Sequence, residues 1–89
     1  MEIWVFNGNN SRLPSGVFSK RELAEAWIDK HALSGILSKY PIDEGVYDWA
    51  LANGTFKAKC EDQTQAKFIQ SFSSASQEHY HYEDGVNET

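Results

Sequence analysis

The chain has 89 residues, a size that builds one domain and hides roughly 60–65% of its unfolded surface. Three Trp, five Phe and a spread of Ile, Leu and Val supply a core without metal or disulfides, and the single Cys60 excludes an internal disulfide. The net charge of −5 falls wholly in residues 60–89, where Lys67 stands against Glu61, Asp62, Glu78, Glu83, Asp84 and Glu88; with no basic stripe, direct nucleic-acid binding is not expected.

The N-terminal Met-Glu-Ile-Trp-Val-Phe has neither a basic n-region nor a long apolar run. Neither a signal peptide nor a membrane span is expected, and a cytoplasmic location follows as an expectation. Glu2 to Phe6 reads as a strand with both faces apolar, which argues for a central position. Asn7 to Gly16, crowded with Gly, Asn, Ser and Pro, reads as a long hairpin connection. It lacks the lysine and the following helix of a phosphate-binding loop.

Gly16 to Phe18 is a short second strand. Ser19 and Glu22 have the spacing of a capping box, so a helix is expected from about Lys20 to His31. Leu23, Ala24, Trp27, Ile28 and His31 would share its apolar face. Ile36 to Tyr40, closed by Pro41, is the next strand. The strand–helix–strand spacing suits a crossover, which would be right-handed if the flanking strands are parallel.

A second helix is expected from about Glu44 to Ala52, capped at or near Asp43 and stopped by Asn53-Gly54. Thr55 to Lys59 alternates, with Phe56 and Ala58 on one face, as a half-exposed strand would. Ala66 to Phe72 fits a helical turn as well as a strand. Gln77 to Glu83 alternates again, His79 and His81 to one side, Tyr80 and Tyr82 to the other. Val86 to Thr89 is expected to fray.

The fold class is therefore α+β: one mainly antiparallel sheet of three to five strands with two helices packed on one face. Residues 1–85 form the domain and residues 86–89 a tail.

Several stretches together resemble a small, mostly bacterial domain family of uncharacterised function. They are Ile3 to Gly8 (IWVFNG), Pro14 to Phe18 (PSGVF), Ala24 to Ile28 (AEAWI), Leu33 to Gly35 (LSG), Tyr40-Pro41, Tyr47 to Ala50 (YDWA) and Ser73 to Gly85 (SSASQEHYHYEDG). The resemblance covers nearly the whole chain. It implies a self-contained domain and carries over no catalytic residue.

Two constellations bear on function. Aromatics amid acids make a recognition surface, since Trp and Tyr are frequent interface anchors. The candidate partner-binding residues are Tyr40, Asp43, Glu44, Tyr47 and Asp48 around the second helix, with Glu78, Tyr80, Tyr82, Glu83 and Asp84 near the C-terminus. This pattern points to non-enzymatic binding of a protein with a basic surface, as an inhibitor or immunity-type protein would bind, with no cofactor.

The second constellation is His79 and His81, whose i, i+2 spacing on a strand puts both on one side, about 6.5–7 Å apart along the chain. They are the candidate metal ligands of the alternative reading, a small metal-binding protein or metal-dependent enzyme. A third ligand would have to come from Glu83, His31 or Cys60. A third reading is a homodimer formed through a sheet edge. No hydrolase triad order, H-E-x-x-H, C-x-x-C or G-x-S-x-G is present.

Overall fold

The computed structural model describes all residues, Met1–Thr89. The chain is an α+β protein with one five-stranded antiparallel sheet, whose strands lie side by side in the order Gly16–Phe18, Glu2–Gly8, Gly35–Pro41, His79–Glu83, Val86–Asn87. It divides into two compact units, Met1–Ile42 with Gln77–Thr89, and Asp43–Ser76.

The first unit holds the whole sheet: β1 (Glu2–Gly8), β2 (Gly16–Phe18), β3 (Gly35–Pro41), β4 (His79–Glu83) and β5 (Val86–Asn87). β1, apolar on both faces, lies between β2 and β3, the central place its sequence calls for. β2 and β3 are each antiparallel to β1, so they run parallel to each other with β1 between them. Helix α1 (Arg21–His31) makes the crossover.

Strand alternation decides the faces. Trp4, Phe6, Leu37 and Tyr82 turn inward against Ala24 and Ile28 of α1, and all six are buried. Phe18, Trp27, Leu33 and Tyr80 pack around this core while half-buried. Gly35 opens β3 directly opposite Gly8, the last residue of β1. A Cβ there would sit 2.8 Å from both Gly8 Cα and the Phe6 ring, and closer still to the Asn7 carbonyl.

Three local expectations are corrected here. The N-cap of α1 is Lys20, not Ser19, and no side chain caps it. The S-x-x-E pattern is thus one residue out of frame, since a capping box needs its hydroxyl at the N-cap itself. Leu23, expected on the apolar face, is 54% exposed because the buried stripe centres on Ala24 and Ile28. At the other end, Val86 and Asn87 pair with Glu83 and Tyr82 rather than fray. Asp84 and Gly85 supply the turn with φ of 49° and 86°. Asp-Gly with both φ positive is the two-residue hairpin turn that matches strand twist.

The second unit contains helix α2 (Val46–Ala52), a single 3₁₀ turn (Glu61–Thr64) and the short helix α3 (Ala66–Ile69), and no strand. Helix α2 begins two residues later than expected. Gly45 is its N-cap, while Asp43 sits at φ 62° in the bend before the helix. Its end is as read: Gly54 takes φ 72°, Gly54 N–H donates to Leu51 O, and Thr55 N–H donates to Ala50 O. Thr55 to Lys59 is not a strand. Its one large apolar side chain, Phe56, instead joins Tyr47, Phe68 and Phe72 in a cluster of rings. Ala66 to Phe72 resolves to the helical alternative.

Candidate partner-binding surface

In the second unit the four rings all touch one another. Tyr47 lies 5.8 Å from Phe56, 6.2 Å from Phe68 and 5.5 Å from Phe72, centroid to centroid. The three phenylalanines are 4.9–5.8 Å apart. All these separations lie in the favourable range for aromatic pairs. Tyr47 is buried at the centre, and its hydroxyl donates to the Gln63 carbonyl at 2.9 Å. Phe56, Phe68 and Phe72 are only half-buried.

Those three rings floor an open hollow of about 540 Å³, rimmed by Thr55, Ser71 and the Ser73–Ser76 segment. A second hollow of about 520 Å³ lies against the same Phe68 and Ser71, bounded by Asp62, Gln65 and Lys67. Phe68 therefore stands between two depressions. Around it the unit carries Asp43, Glu44, Asp48, Glu61 and Asp62 against Lys57, Lys59 and Lys67, a net charge of −2.

The expected recognition residues separate. Asp43, Glu44 and Asp48 are exposed in this unit, whereas Tyr47 is its buried centre and offers a partner nothing. Tyr40 belongs to the other unit, half-buried on β3. The hollow between Phe56, Phe68 and Phe72 went unread in the sequence. Three phenylalanines among serines and lysines are its only sequence signal, and the strand reading of Phe56 obscured it.

The C-terminal candidates lie in the first unit, where most are occupied by internal bonds. Tyr82 is buried and donates from its hydroxyl to Glu25 at 2.5 Å. Burial first, then the Glu25 carboxylate, pushes its phenol well above the ordinary tyrosine range. Tyr80 lies under the Arg21 guanidinium, 3.7 Å from ring centroid to Cζ, and its hydroxyl donates to Glu78. That bond raises the Tyr80 pKa and, together with Lys39, lowers that of Glu78. Lys39 reaches Glu78 at 3.1 Å and Glu2 at 3.6 Å, while Arg21 approaches Glu25 at 3.4 Å. Glu2, Lys39, Glu78, Tyr80, Arg21, Glu25 and Tyr82 thus form one chain of polar contacts that ties α1 to β3 and β4.

Glu83 and Asp84 are exposed, but Asp84 is explained by the hairpin turn, where its N–H donates to Ser34 Oγ at 2.9 Å. Sequence reading also passed over Gln77, the one buried polar residue. Its side-chain amide donates to the Lys39 carbonyl at 3.2 Å and extends the β3–β4 pairing.

His79 and His81 do lie side by side, with ring centroids 5.4 Å apart. No group of three His, Cys, Asp or Glu residues is gathered anywhere in the chain, so Glu83, His31 and Cys60 do not complete the pair. His31 packs against Trp27 at 5.9 Å, and Cys60 is an exposed free thiol in the second unit. No helix is long and apolar enough to cross a membrane.

The antiparallel sheet with its crossover helix, and the ring-lined second unit, make the chain a small α+β protein. Over residues 3–88 the chain matches the domain of unknown function DUF7710, and it belongs to that family. No curated protein and no solved structure matches it.

Proposed function

We propose that the protein is a non-enzymatic binding domain for a protein partner with a basic surface, of the inhibitor or immunity type. The observation that carries this is the Phe56–Phe68–Phe72 floor, three aromatic side chains left half-exposed around a buried Tyr47. A hollow of this kind takes an apolar anchor from a partner segment. The serine-rich rim offers hydroxyl and backbone groups to hydrogen-bond that segment. The excess of carboxylates in the unit, and the chain's net −5, favour lysines and arginines beside the anchor and speed their approach.

The test is titration of the intact chain with a synthetic peptide carrying one Phe or Leu flanked by Lys and Arg. Saturable binding is expected. It should weaken at least about tenfold, or roughly 1.4 kcal/mol, with Phe68→Ser or with an Ala anchor. It should also weaken as salt rises. Binding that ignores both Phe68→Ser and the anchor would overturn the reading, as would equal binding of a peptide with glutamates in place of the basic residues.

A further inference from the structure

Strand register lays out the sheet face turned away from α1. Residues directly opposite on antiparallel strands share a face. One cross-strand row is therefore Val17, Val5, Ser38 and His79, and the next is Asn7, Ile36 and His81. Val86, opposite Glu83, belongs to the same face. Val17 is 61% exposed, Ile36 38% and Val86 57%. The face thus joins an imidazole pair to uncovered aliphatic side chains.

His79 Nδ1 lies 2.7 Å from the Gln77 carbonyl, and a carbonyl only accepts, so Nδ1 carries the proton. In the neutral ring the lone pair is then on Nε2, with the ring's orientation fixed by a backbone bond. This is the usual outer support of a metal-binding histidine. The His81 ring lies edge-on to it, 76° between planes. Two imidazoles are half of the tetrahedral set that Zn²⁺ favours, and the chain gathers no third ligand.

We propose that His79 and His81 form one half of a Zn²⁺-type site completed by the same pair from a second copy of the chain. In a two-fold dimer each surface patch meets itself, so two ligands become four. Sheets packed face to face lie about 10 Å apart, which brings imidazoles from both into the space between them. Small Ser38 beside His79 leaves room there, and Val5, Val17 and Ile36 of each copy would cover those of the other. The dication also offsets the repulsion between two chains of net charge −5.

Untagged protein, stripped with EDTA, is titrated with Zn²⁺ alone and followed by sedimentation velocity and metal analysis. The expected result is a doubling of mass at one ion per two chains, reversed by EDTA and abolished by His79→Ala or His81→Ala. Both variants should keep their far-ultraviolet circular dichroism, because neither ring is in the core. Ile36→Lys should also shift the equilibrium to monomer. An unchanged mass at saturating Zn²⁺, one ion bound per monomer, or a doubling that survives loss of either histidine would each overturn the proposal.

Discussion

The two units are built on different principles. The first satisfies its backbone through a continuous ladder from β2 to β5 and buries six side chains between sheet and helix. The second has no ladder, and only Tyr47 and Ala50 are buried. Its order rests on ring contacts, helix ends and single bonds such as Lys59 N–H to Gln63 Oε1 at 2.7 Å. Regions with few buried apolar contacts and exposed backbone bonds open at lower free energy than the core. The unit that leaves three phenylalanines half-exposed is thus expected to open at the lower free energy.

The strongest challenge to that contrast is Gly35→Ala. The added methyl would collide with backbone at Asn7 and Gly8, which have no alternative rotamer to adopt. We expect at least about 3 kcal/mol of destabilisation, near the upper end for overpacking, read as a denaturant midpoint shift. Hydrogen exchange should show protection lost across β1 and β3 together.

Phe72→Ala attacks the other unit. A fully buried Phe costs about 3–5 kcal/mol to truncate, and Phe72 is half-buried, so about 2 kcal/mol is expected. Exchange should rise in residues 43–76 while β1, β3 and β4 keep their protection. If both units lose protection equally, they unfold as one cooperative body and the contrast fails.

Tyr82→Phe removes a hydroxyl from the sheet side at about 1 kcal/mol, the ordinary value of a lost hydrogen bond. The raised pKa adds a pH signature. Folding favours the neutral phenol, so this contribution is complete below the unfolded value of about 10 and is lost as pH rises beyond it. Stability of the parent protein should therefore fall more steeply above pH 10 than that of Tyr82→Phe. Tyr80, also raised, is present in both proteins and does not account for a difference.

The strands were legible because each carries its own local signal, β1 an apolar run on both faces and β4 an alternation, although their partners lie far off in sequence, as Gly35 and Tyr82 do. Thr55 to Lys59 alternates just as cleanly and forms no strand. Alternation reports what a segment could present, not whether an edge is available to receive it, and the pull of Tyr47, Phe68 and Phe72 on Phe56 is non-local. The site suffered from the same limit. Tyr47 and Tyr82 look like interface anchors in sequence, yet their hydroxyls find Gln63 and Glu25, 16 and 57 residues away. The Asp84-Gly85 turn is readable from its residue pair alone, but the expectation that the last residues of a chain fray outweighs it in the sequence.

The helix ends sharpen this point and give the smallest effect. Both α1 and α2 close with the same bond pattern, a left-handed residue whose N–H and successor's N–H return to the last turn. At α2 that residue is Gly54, and the sequence shows it. At α1 it is Ala32, φ 53°, with Ala32 N–H to Asp29 O at 3.2 Å and Leu33 N–H to Ile28 O at 3.0 Å. An alanine gives no stop signal, and its Cβ is strained in that region by about 1 kcal/mol or more. Because Ala32 is exposed, removing its methyl forfeits little packing. Ala32→Gly should therefore stabilise the first unit by about 0.5–1 kcal/mol, the relief of strain less the added freedom of the unfolded chain. A raised thermal midpoint with unchanged exchange in residues 43–76 is the expected outcome. A lowered midpoint would mean that the entropy of the glycine outweighs the strain, and that the α1 terminus is held by the bonds of Gly85 and Asp84 to Leu33 and Ser34 rather than by its own cap.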